Sequence, residues 1–428
     1  MGKNTRTIFK AFDYLHCDDF AKFLMDMAAQ GWHFKEWGVG LKFEKGEPEH
    51  TVYAVEVFTD ASEYDLRPEP NTEEFAEYCK VAGWELVDAK RKFCIFKRVR
   101  EDATPILTQE ERVQNVIKES KGTVDIPFLI ASMLFMNHIS DYFAKDIYSF
   151  TGQLFSPIAL AFTLLLGTLF IGCIVNLIGW SYNKRKMKQK LAAGEVVYIG
   201  EEGGTRNRFV NCSKAIVIFG AIAGFGVLTT ELMLQLAVFL GGTIAVIGLT
   251  SILLAKFRPD SATNYIVQMV VGFFYFVVIF VVAISWGLED NKTLVTDAPI
   301  KKADYVEYEP ETEKIFCFAN NNILGSMQIY VLAYAYVDEK NGRGLIYEIY
   351  SSEIDWIMDH IWEMETGKIA ESEKLDCTKA WGAETAFLTG NEKYFVRYED
   401  TIITFTDYDG TILTQEQIDI ICEKLDVR

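Results

Sequence analysis

The feature that most constrains this chain is a series of long apolar runs confined to its middle third. Four of them are long enough to cross about 30 Å of hydrocarbon as helices that rise about 1.5 Å per residue. Runs of this length exclude a water-soluble globular fold for this part of the chain. The four runs lie at residues 156–180, 212–230, 234–255 and 265–287.

A fifth run, residues 124–143, is weaker because polar Asn137 and His138 follow its apolar stretch. Alone it could be a buried or interfacial helix. A short connection leads from it into the next strong run, however, and this arrangement is typical of a helical hairpin. We therefore expect five transmembrane helices in a membrane region of residues 122–288.

The distribution of Lys and Arg predicts the orientation of this region. Link 181–211 holds seven of these residues and link 256–263 holds two, whereas 144–155 holds one. Basic links stay on the cytoplasmic side of a membrane. With five spans, residues 1–121 then form a cytoplasmic domain and residues 289–428 an extracytoplasmic one. The first residues lack the apolar segment of a signal peptide, which agrees with a cytoplasmic N-terminus in the cell membrane.

Charge and composition disfavour several classes of function. The net charge is −18, and residues 289–428 alone carry 29 Asp/Glu against 13 Lys/Arg. No domain has the net basic surface that binding to nucleic acid requires. The eight cysteines and five histidines lack the spacing of a zinc site or a disulfide framework. Catalytic and nucleotide-binding motifs are missing as well, so we expect no catalytic, cofactor-binding or metal-binding residues, and no enzyme.

The N-terminal domain shows an internal repeat. Two amphipathic segments end at Gly31-Trp32 and Gly83-Trp84, and an extended stretch follows each of them. With strands at 8–14 and 51–58, the order β-α-β-β-α-β predicts a split βαβ, ferredoxin-like sheet. The two tryptophans are expected to anchor the core.

Specific residues of this domain resemble a known family. The stretch from Phe23 to Phe34, which contains Met-Ala-Ala-Gln-Gly-Trp, together with 43–48, Tyr53 and Gly83-Trp84, is similar to the bacterial domain of unknown function 2812. The resemblance covers about residues 6–120. It implies membrane spans after the domain and, since many members are encoded near PadR-type repressors, a regulated and inducible membrane protein. It implies no catalytic residues.

Two further features lie close to the membrane region. A basic cluster between Lys90 and Arg100 is interpreted as a strand edge that faces anionic lipid headgroups. Thr108-x-x-Glu111 is a capping box, which predicts a juxtamembrane helix over 108–121 that is broken by Gly122. Within the spans, Gly220-x-x-x-Gly224 would let two helices approach closely, although glycine is also common in membrane helices.

The C-terminal domain is predicted to be an antiparallel sheet with helices. Strand candidates are 314–319, 328–337, 344–350, 394–398 and 402–406. The segment from Asp407 through Asp409-Gly410 to Glu416 matches several ligand positions of a calcium-binding EF-hand. Its first ligand position is Phe405, and a hairpin-like pattern precedes it. We therefore interpret it as a turn followed by a helix cap, with calcium binding as the alternative.

The sequence thus predicts a multi-pass α-helical membrane protein with two α+β soluble domains. The first functional hypothesis is a non-enzymatic sensor or regulatory protein that couples the extracytoplasmic domain to the cytoplasmic one. The alternative is a transport or efflux component, which the multi-span core also allows. The expected partners are the lipid bilayer and either another protein or a second copy of the chain.

Overall fold

The computed structural model divides the chain into two compact units. One contains residues 1–134, 166–220 and 233–277, and the other contains 135–165, 221–232 and 278–428. The residues that the structure describes are 4–143, 145–200, 205–228, 230–289, 293–295, 297–305, 313–334, 343–390, 392–408 and 412–427.

The N-terminal domain consists of two consecutive β-α-β-β repeats. Each repeat forms its own three-stranded antiparallel sheet, and the last strand lies in the middle: β1-β3-β2 and β4-β6-β5. The elements are β1 Thr5–Ile8, α1 Cys17–Ala29, β2 Trp32–Trp37, β3 Leu41–Lys45, β4 Tyr53–Val57, α2 Pro70–Val81, β5 Trp84–Lys90 and β6 Phe93–Arg98.

The predicted duplication is present, but the predicted single ferredoxin-like sheet is wrong. Each extended stretch that follows a helix contains a turn and folds into a hairpin, which adds one strand to each repeat. The first turn contains Gly38 and Gly40, and the second contains Arg91 with φ 54°. Gly31 and Gly83 end the two helices at φ 79° and 95°, a conformation that favours glycine.

In the part of the chain that the structure describes, five helices are long and apolar enough to cross a membrane, as the sequence predicts. A shorter helix, α4, lies between the first and the second of them. The bounds are α3 Gln109–Ile139, α4 Ile147–Phe155, α5 Pro157–Ala192, α6 Thr205–Gly226, α7 Thr230–Phe257 and α8 Ser261–Glu289.

The predicted break at Gly122 is wrong, because α3 runs through it without interruption. A glycine inside a helix costs only about 1 kcal/mol relative to alanine, and flanking interactions can offset this cost. Here Lys121 and Asp125 form an ion pair across the site, with 3.6 Å between Nζ and Oδ2. The juxtamembrane helix and the first span are therefore one continuous helix.

Glycines allow α6 to lie close to α5. The distance from a Cβ at Gly220 to Oγ1 of Thr168 would be far shorter than van der Waals contact, and the distance from a Cβ at Gly224 to the carbonyl oxygen of Ala161 would be 3.0 Å. The first distance leaves no room for a side chain unless Thr168 moves. This geometry supports the interpretation of Gly220-x-x-x-Gly224 as a close helix contact.

The C-terminal domain contains an antiparallel sheet of eight strands, which confirms the predicted sheet with helices. Its strand order is β11-β12-β13-β14-β10-β9-β8-β7. Strands β7, β11 and β12 are not among the sequence candidates, and each has at most four residues. The elements are β7 Thr293–Val295, β8 Glu313–Asn322, β9 Gly325–Tyr334, β10 Arg343–Ser351, α9 Asp355–Thr366, β11 Leu375–Asp376, α10 Thr378–Trp381, β12 Thr385–Leu388, β13 Lys393–Arg397, β14 Thr401–Asp407 and α11 Gln415–Leu425.

The two faces of this sheet pack against different elements. Because side chains alternate along a strand, Tyr347 of β10 points into one core while Tyr350 points into the other. The first core contains Ile418 and Ile421 of α11. The second contains residues of α9 and of α4, so the connection between the first two spans is part of the C-terminal fold.

Candidate functional site

A buried ion pair fixes the first turns of α3 to the N-terminal domain. The guanidinium of Arg112 donates from Nε to Glu56 Oε2 and from Nη2 to Asp18 Oδ1, both at 2.8 Å. The side chain of Glu56 is 8% exposed, and that of Arg112 is 13% exposed. Burial raises the pKa of Glu56 to about 7, although Arg112 opposes this shift. Val113 and Val116 of the same helix are buried in the core that α1 forms with the sheets.

The link after α5 is attached at the same place. Asp18 and Ile199 exchange two hydrogen bonds: the Ile199 amide donates to the Asp18 carboxylate at 2.6 Å, and the Asp18 amide donates to the Ile199 carbonyl at 2.9 Å. The hydroxyl of Tyr198 donates to Asp19 Oδ1 at 2.8 Å. Val197 and Ile199 are buried at 1% exposure each. This basic link therefore packs as part of the N-terminal domain.

The short link between α7 and α8 makes a second attachment through Arg258. Its Nη2 donates to Asp88 Oδ1 at 2.7 Å and to the Ala89 carbonyl at 3.2 Å, and its Nε donates to the Leu66 carbonyl. Burial raises the pKa of Asp88, and the Arg258 hydrogen bond opposes this shift. Asn264, at the start of α8, donates to the Tyr64 carbonyl at 2.6 Å. Both predicted cytoplasmic links thus contact the N-terminal domain directly.

In the other unit, α4 is built into the C-terminal domain. Its Phe150, Leu154 and Phe155 are at most 4% exposed, in a core with Met327 and Tyr350 of the sheet. Asn322, at the end of β8, donates to the Leu154 carbonyl at 2.9 Å. The connection between the first two spans is therefore held by both apolar packing and hydrogen bonding.

A buried cluster of charged side chains lies beside α4. Tyr148 donates to Glu348 Oε1 at 2.6 Å, and Thr404 donates to Glu348 Oε2 at 2.7 Å. Lys393 Nζ lies 3.7 Å from Glu348 Oε2 and 3.5 Å from Glu365 Oε2. The carboxylate side chains are 2% and 7% exposed. Burial and the Glu348 carboxylate raise the pKa of Glu365, and Lys393 opposes this shift.

The polar residues that end the apolar stretch of α3 differ in their surroundings. His138 Nε2 lies 2.8 Å from Oγ1 of Thr163 and 3.1 Å from the Ala159 carbonyl oxygen, both on α5. Tyr142 also contacts the Thr163 hydroxyl at 2.8 Å. Asn137 is exposed. The structure therefore places His138 in a contact between two spans and does not bring Asn137 into it.

The predicted basic strand edge is present only in part, because Lys90 lies on the edge strand β5 whereas Lys97 and Arg98 do not. Strand β6, which carries Lys97 and Arg98, lies in the middle of its sheet between β4 and β5. Lys92 pairs with Glu119 of α3 at 2.6 Å, and Lys90 donates to the Gly38 carbonyl at 2.7 Å. Lys90 and Lys92 therefore have partners inside the unit, on α3 and in the turn between β2 and β3.

The segment that resembles an EF-hand loop, residues 407–416, is described only in part, since Asp409 and Gly410 lie outside the described residues. Asp407 is buried, lies 3.2 Å from Lys302 Nζ and accepts a hydrogen bond from Tyr305 at 2.9 Å. Thr414 forms the predicted capping box at the start of α11. Among the residues that the structure describes, no three His, Cys, Asp or Glu side chains are grouped as metal ligands.

Comparison with known proteins identifies one part of the chain. Residues 17–129 match the model of a family described as Protein of unknown function (DUF2812). This segment is a DUF2812 domain. The match extends from α1 into α3, so it includes the Arg112 ion pair and part of the first span. The chain has no match among curated proteins or solved structures.

The sequence analysis did not identify the charged residues that attach α3 and α4 to the soluble domains. A signal for Glu348 existed, because it is the one charged residue in the otherwise apolar strand LIYEIY. A buried strand with such a residue indicates a specific partner. Glu56 carries a similar signal, because it is the one charged residue in the apolar stretch VYAVEVF. No comparable signal marks Arg112, whose partners are distant in the sequence and become neighbours only in the fold.

Proposed function

We propose that this protein is a non-enzymatic sensor or regulatory protein that couples an extracytoplasmic domain to a cytoplasmic DUF2812 domain. One observation carries the proposal: the same helical hairpin, which consists of α3, α4 and α5, contributes side chains to the cores of both soluble domains. The first turns of α3 are fixed in the DUF2812 domain by Arg112. Helix α4, only a few residues beyond the end of α3, is fixed in the C-terminal domain.

The contacts of the links support the proposed orientation. The basic links after α5 and after α7 contact the DUF2812 domain through Ile199 and Arg258. The link that contains α4 has one Lys and contacts the C-terminal domain. Because basic links remain in the cytoplasm, the DUF2812 domain is cytoplasmic and the acidic domain is extracytoplasmic. The chain then lies in the cell membrane with five spans.

The form of α3 suits a coupling element. It is one helix of 31 residues, with Pro127 in its interior, which corresponds to a length of about 46 Å. A continuous helix transmits a displacement of one end to the other, provided that two arrangements of it exist. The proposed partners are the bilayer and a second protein or a second copy of the chain, which would receive the signal.

Hydrogen exchange in the full chain, reconstituted in lipid nanodiscs, tests the coupling. Tyr148→Phe removes the hydrogen bond from α4 to Glu348, and we expect faster amide exchange both in α4 and in residues 109–116 of α3. Tyr394→Phe is the matched control. Tyr394 is a tyrosine of the C-terminal domain whose hydroxyl accepts a hydrogen bond from the Leu413 amide in the core on the other face. It is buried, whereas Tyr148 is 52% exposed, so loss of its hydroxyl is the more severe change for the domain itself.

Faster exchange in α4 with unchanged exchange in residues 109–116 would contradict coupling. The transport alternative has its own test, in which the same protein in sealed vesicles is assayed for flux of ions and small solutes. Flux that Tyr148→Phe and Arg112→Ala leave unchanged would favour transport over coupling.

A further inference from the structure

The buried charges beside α4 are not balanced. Glu348 and Glu365 contribute two carboxylates, and Lys393 lies between them as a single cation. Oε1 of Glu365 is buried and has no hydrogen-bond partner among the described residues. An uncompensated charge at such a depth is costly, and the usual remedy is to bind a proton or another cation.

We propose that Glu365 is a proton-binding site, and that proton uptake from the extracytoplasmic side strengthens the docking of α4. This inference rests on the proposed function, for which it names the stimulus. The step is simple: a proton from solvent adds to the Glu365 carboxylate and gives a neutral carboxylic acid. Glu348 and Lys393 then remain as a balanced pair, and Tyr148 still donates to Glu348.

The surrounding groups favour a proton over a metal cation. The titratable side chains that face Glu365 are Lys393 of β13, Glu348 and Tyr350 of β10, and Tyr148 of α4. Lys393 would repel a metal ion, and hard cations need several free oxygen ligands. The hydroxyls of Tyr148 and Thr404 already donate to Glu348. A proton needs only one oxygen.

The sign of the pH effect follows from linkage. Burial raises the pKa of Glu365 when α4 is docked on the C-terminal domain. When α4 is detached, the carboxyl of Glu365 is exposed to solvent and has a pKa of about 4.3. The docked state therefore holds its proton at a pH where the detached state has lost it. Docking is strongest at acidic pH and weakens as pH rises through the raised pKa.

Infrared difference spectroscopy and hydrogen exchange on the full chain in nanodiscs test this site. In the difference between the wild-type and Glu365→Gln spectra, we expect the carbonyl band of one protonated carboxyl at acidic pH, and we expect this band to disappear as the pH rises. We also expect α4 to exchange faster at the higher pH, after correction for intrinsic rates, by about tenfold for each unit by which docking raises the pKa.

Glu365→Gln should abolish both the carbonyl band and the pH dependence. Glu363→Gln removes an exposed carboxylate from the same helix and should abolish neither. The proposal is overturned if Glu365→Gln removes no carbonyl band that the wild type shows at acidic pH, or if it leaves the pH dependence of exchange in α4 unchanged. Protection of α4 that follows sodium or potassium concentration at constant pH overturns it as well. If Glu365→Gln changes the pH dependence of exchange in α4 but not that in residues 109–116, the proton site stands and the coupling fails.

Discussion

Replacing Arg112 with alanine should detach the start of α3 from the DUF2812 domain. The substitution removes the cation that lies 2.8 Å from both Glu56 and Asp18. Glu56 would remain buried without its partner, and breaking a buried ion pair in this way costs about 3–5 kcal/mol. The effect should be largest above pH 7, because burial raises the pKa of Glu56 to about 7 and a protonated Glu56 needs no cation.

The assay is hydrogen exchange of the full chain in nanodiscs, because a protein with two domains and a membrane region has no single free energy of unfolding. A loss of about 3 kcal/mol in local opening free energy corresponds to roughly a hundredfold faster exchange. We expect this change in residues 109–116 and in β4, which contains Glu56. Amide exchange in the strands of the C-terminal domain should keep its wild-type rate.

Lys118→Ala is the control for this experiment. Lys118 is an exposed cation on the same helix, so its removal should change exchange by less than about threefold. If Arg112→Ala and Lys118→Ala gave the same small change, the ion pair would not hold α3 in place, and the reasoning from burial would be refuted.

Three further predictions follow from the geometry. Gly220→Val should lower the temperature at which the solubilised protein unfolds, because its clash with Thr168 costs about 1–3 kcal/mol locally, whereas Gly226→Val, which has open space, should leave this temperature unchanged. Docking of α3 should weaken between about pH 4 and pH 7, because the native state keeps the Glu56 proton that an exposed carboxyl loses. Glu56→Gln should make α3 exchange independent of pH in this range, and a retained pH dependence would contradict the assignment. Arg258→Ala should increase protease cleavage in the link between α7 and α8, and Arg258→Lys should be intermediate because Lys lacks the planar fork.

The membrane helices could be predicted from the sequence because apolar length is a local property. All five predicted spans coincide with helices of sufficient length and hydropathy. The repeat in the DUF2812 domain was also visible, since Gly31-Trp32 and Gly83-Trp84 mark the same position in both halves. The hairpin turns were missed because a two-residue turn at Arg91 lacks the usual Asn-Gly or Asp-Gly signal.

The attachments between domains and helices could not be predicted, because they join residues that are far apart in the chain. Arg112 and Glu56 are 56 positions apart, and Tyr148 and Glu348 are 200 apart. A single sequence carries no signal for such pairs unless a charge interrupts an apolar pattern, as Glu56 and Glu348 do, and even then it does not name the partner. The role of α4 was missed for the same reason, since its nine residues appeared only as a connection between spans.

The central claim is that five spans place the two soluble domains on opposite sides of the membrane, and thiol labelling tests it most directly. The native cysteines of the DUF2812 domain are at most 3% exposed and cannot report: Cys17, Cys79 and Cys94. We would therefore introduce Asp102→Cys, at a side chain that is 80% exposed, and Glu371→Cys, at one that is 89% exposed, after replacing Cys173, Cys212 and Cys377 with serine.

In intact cells treated with a membrane-impermeant maleimide, Glu371→Cys should be labelled, whereas Asp102→Cys should be labelled only after the membrane is permeabilised. Labelling of both cysteines in intact cells, or of neither, would place the two domains on the same side and contradict the account.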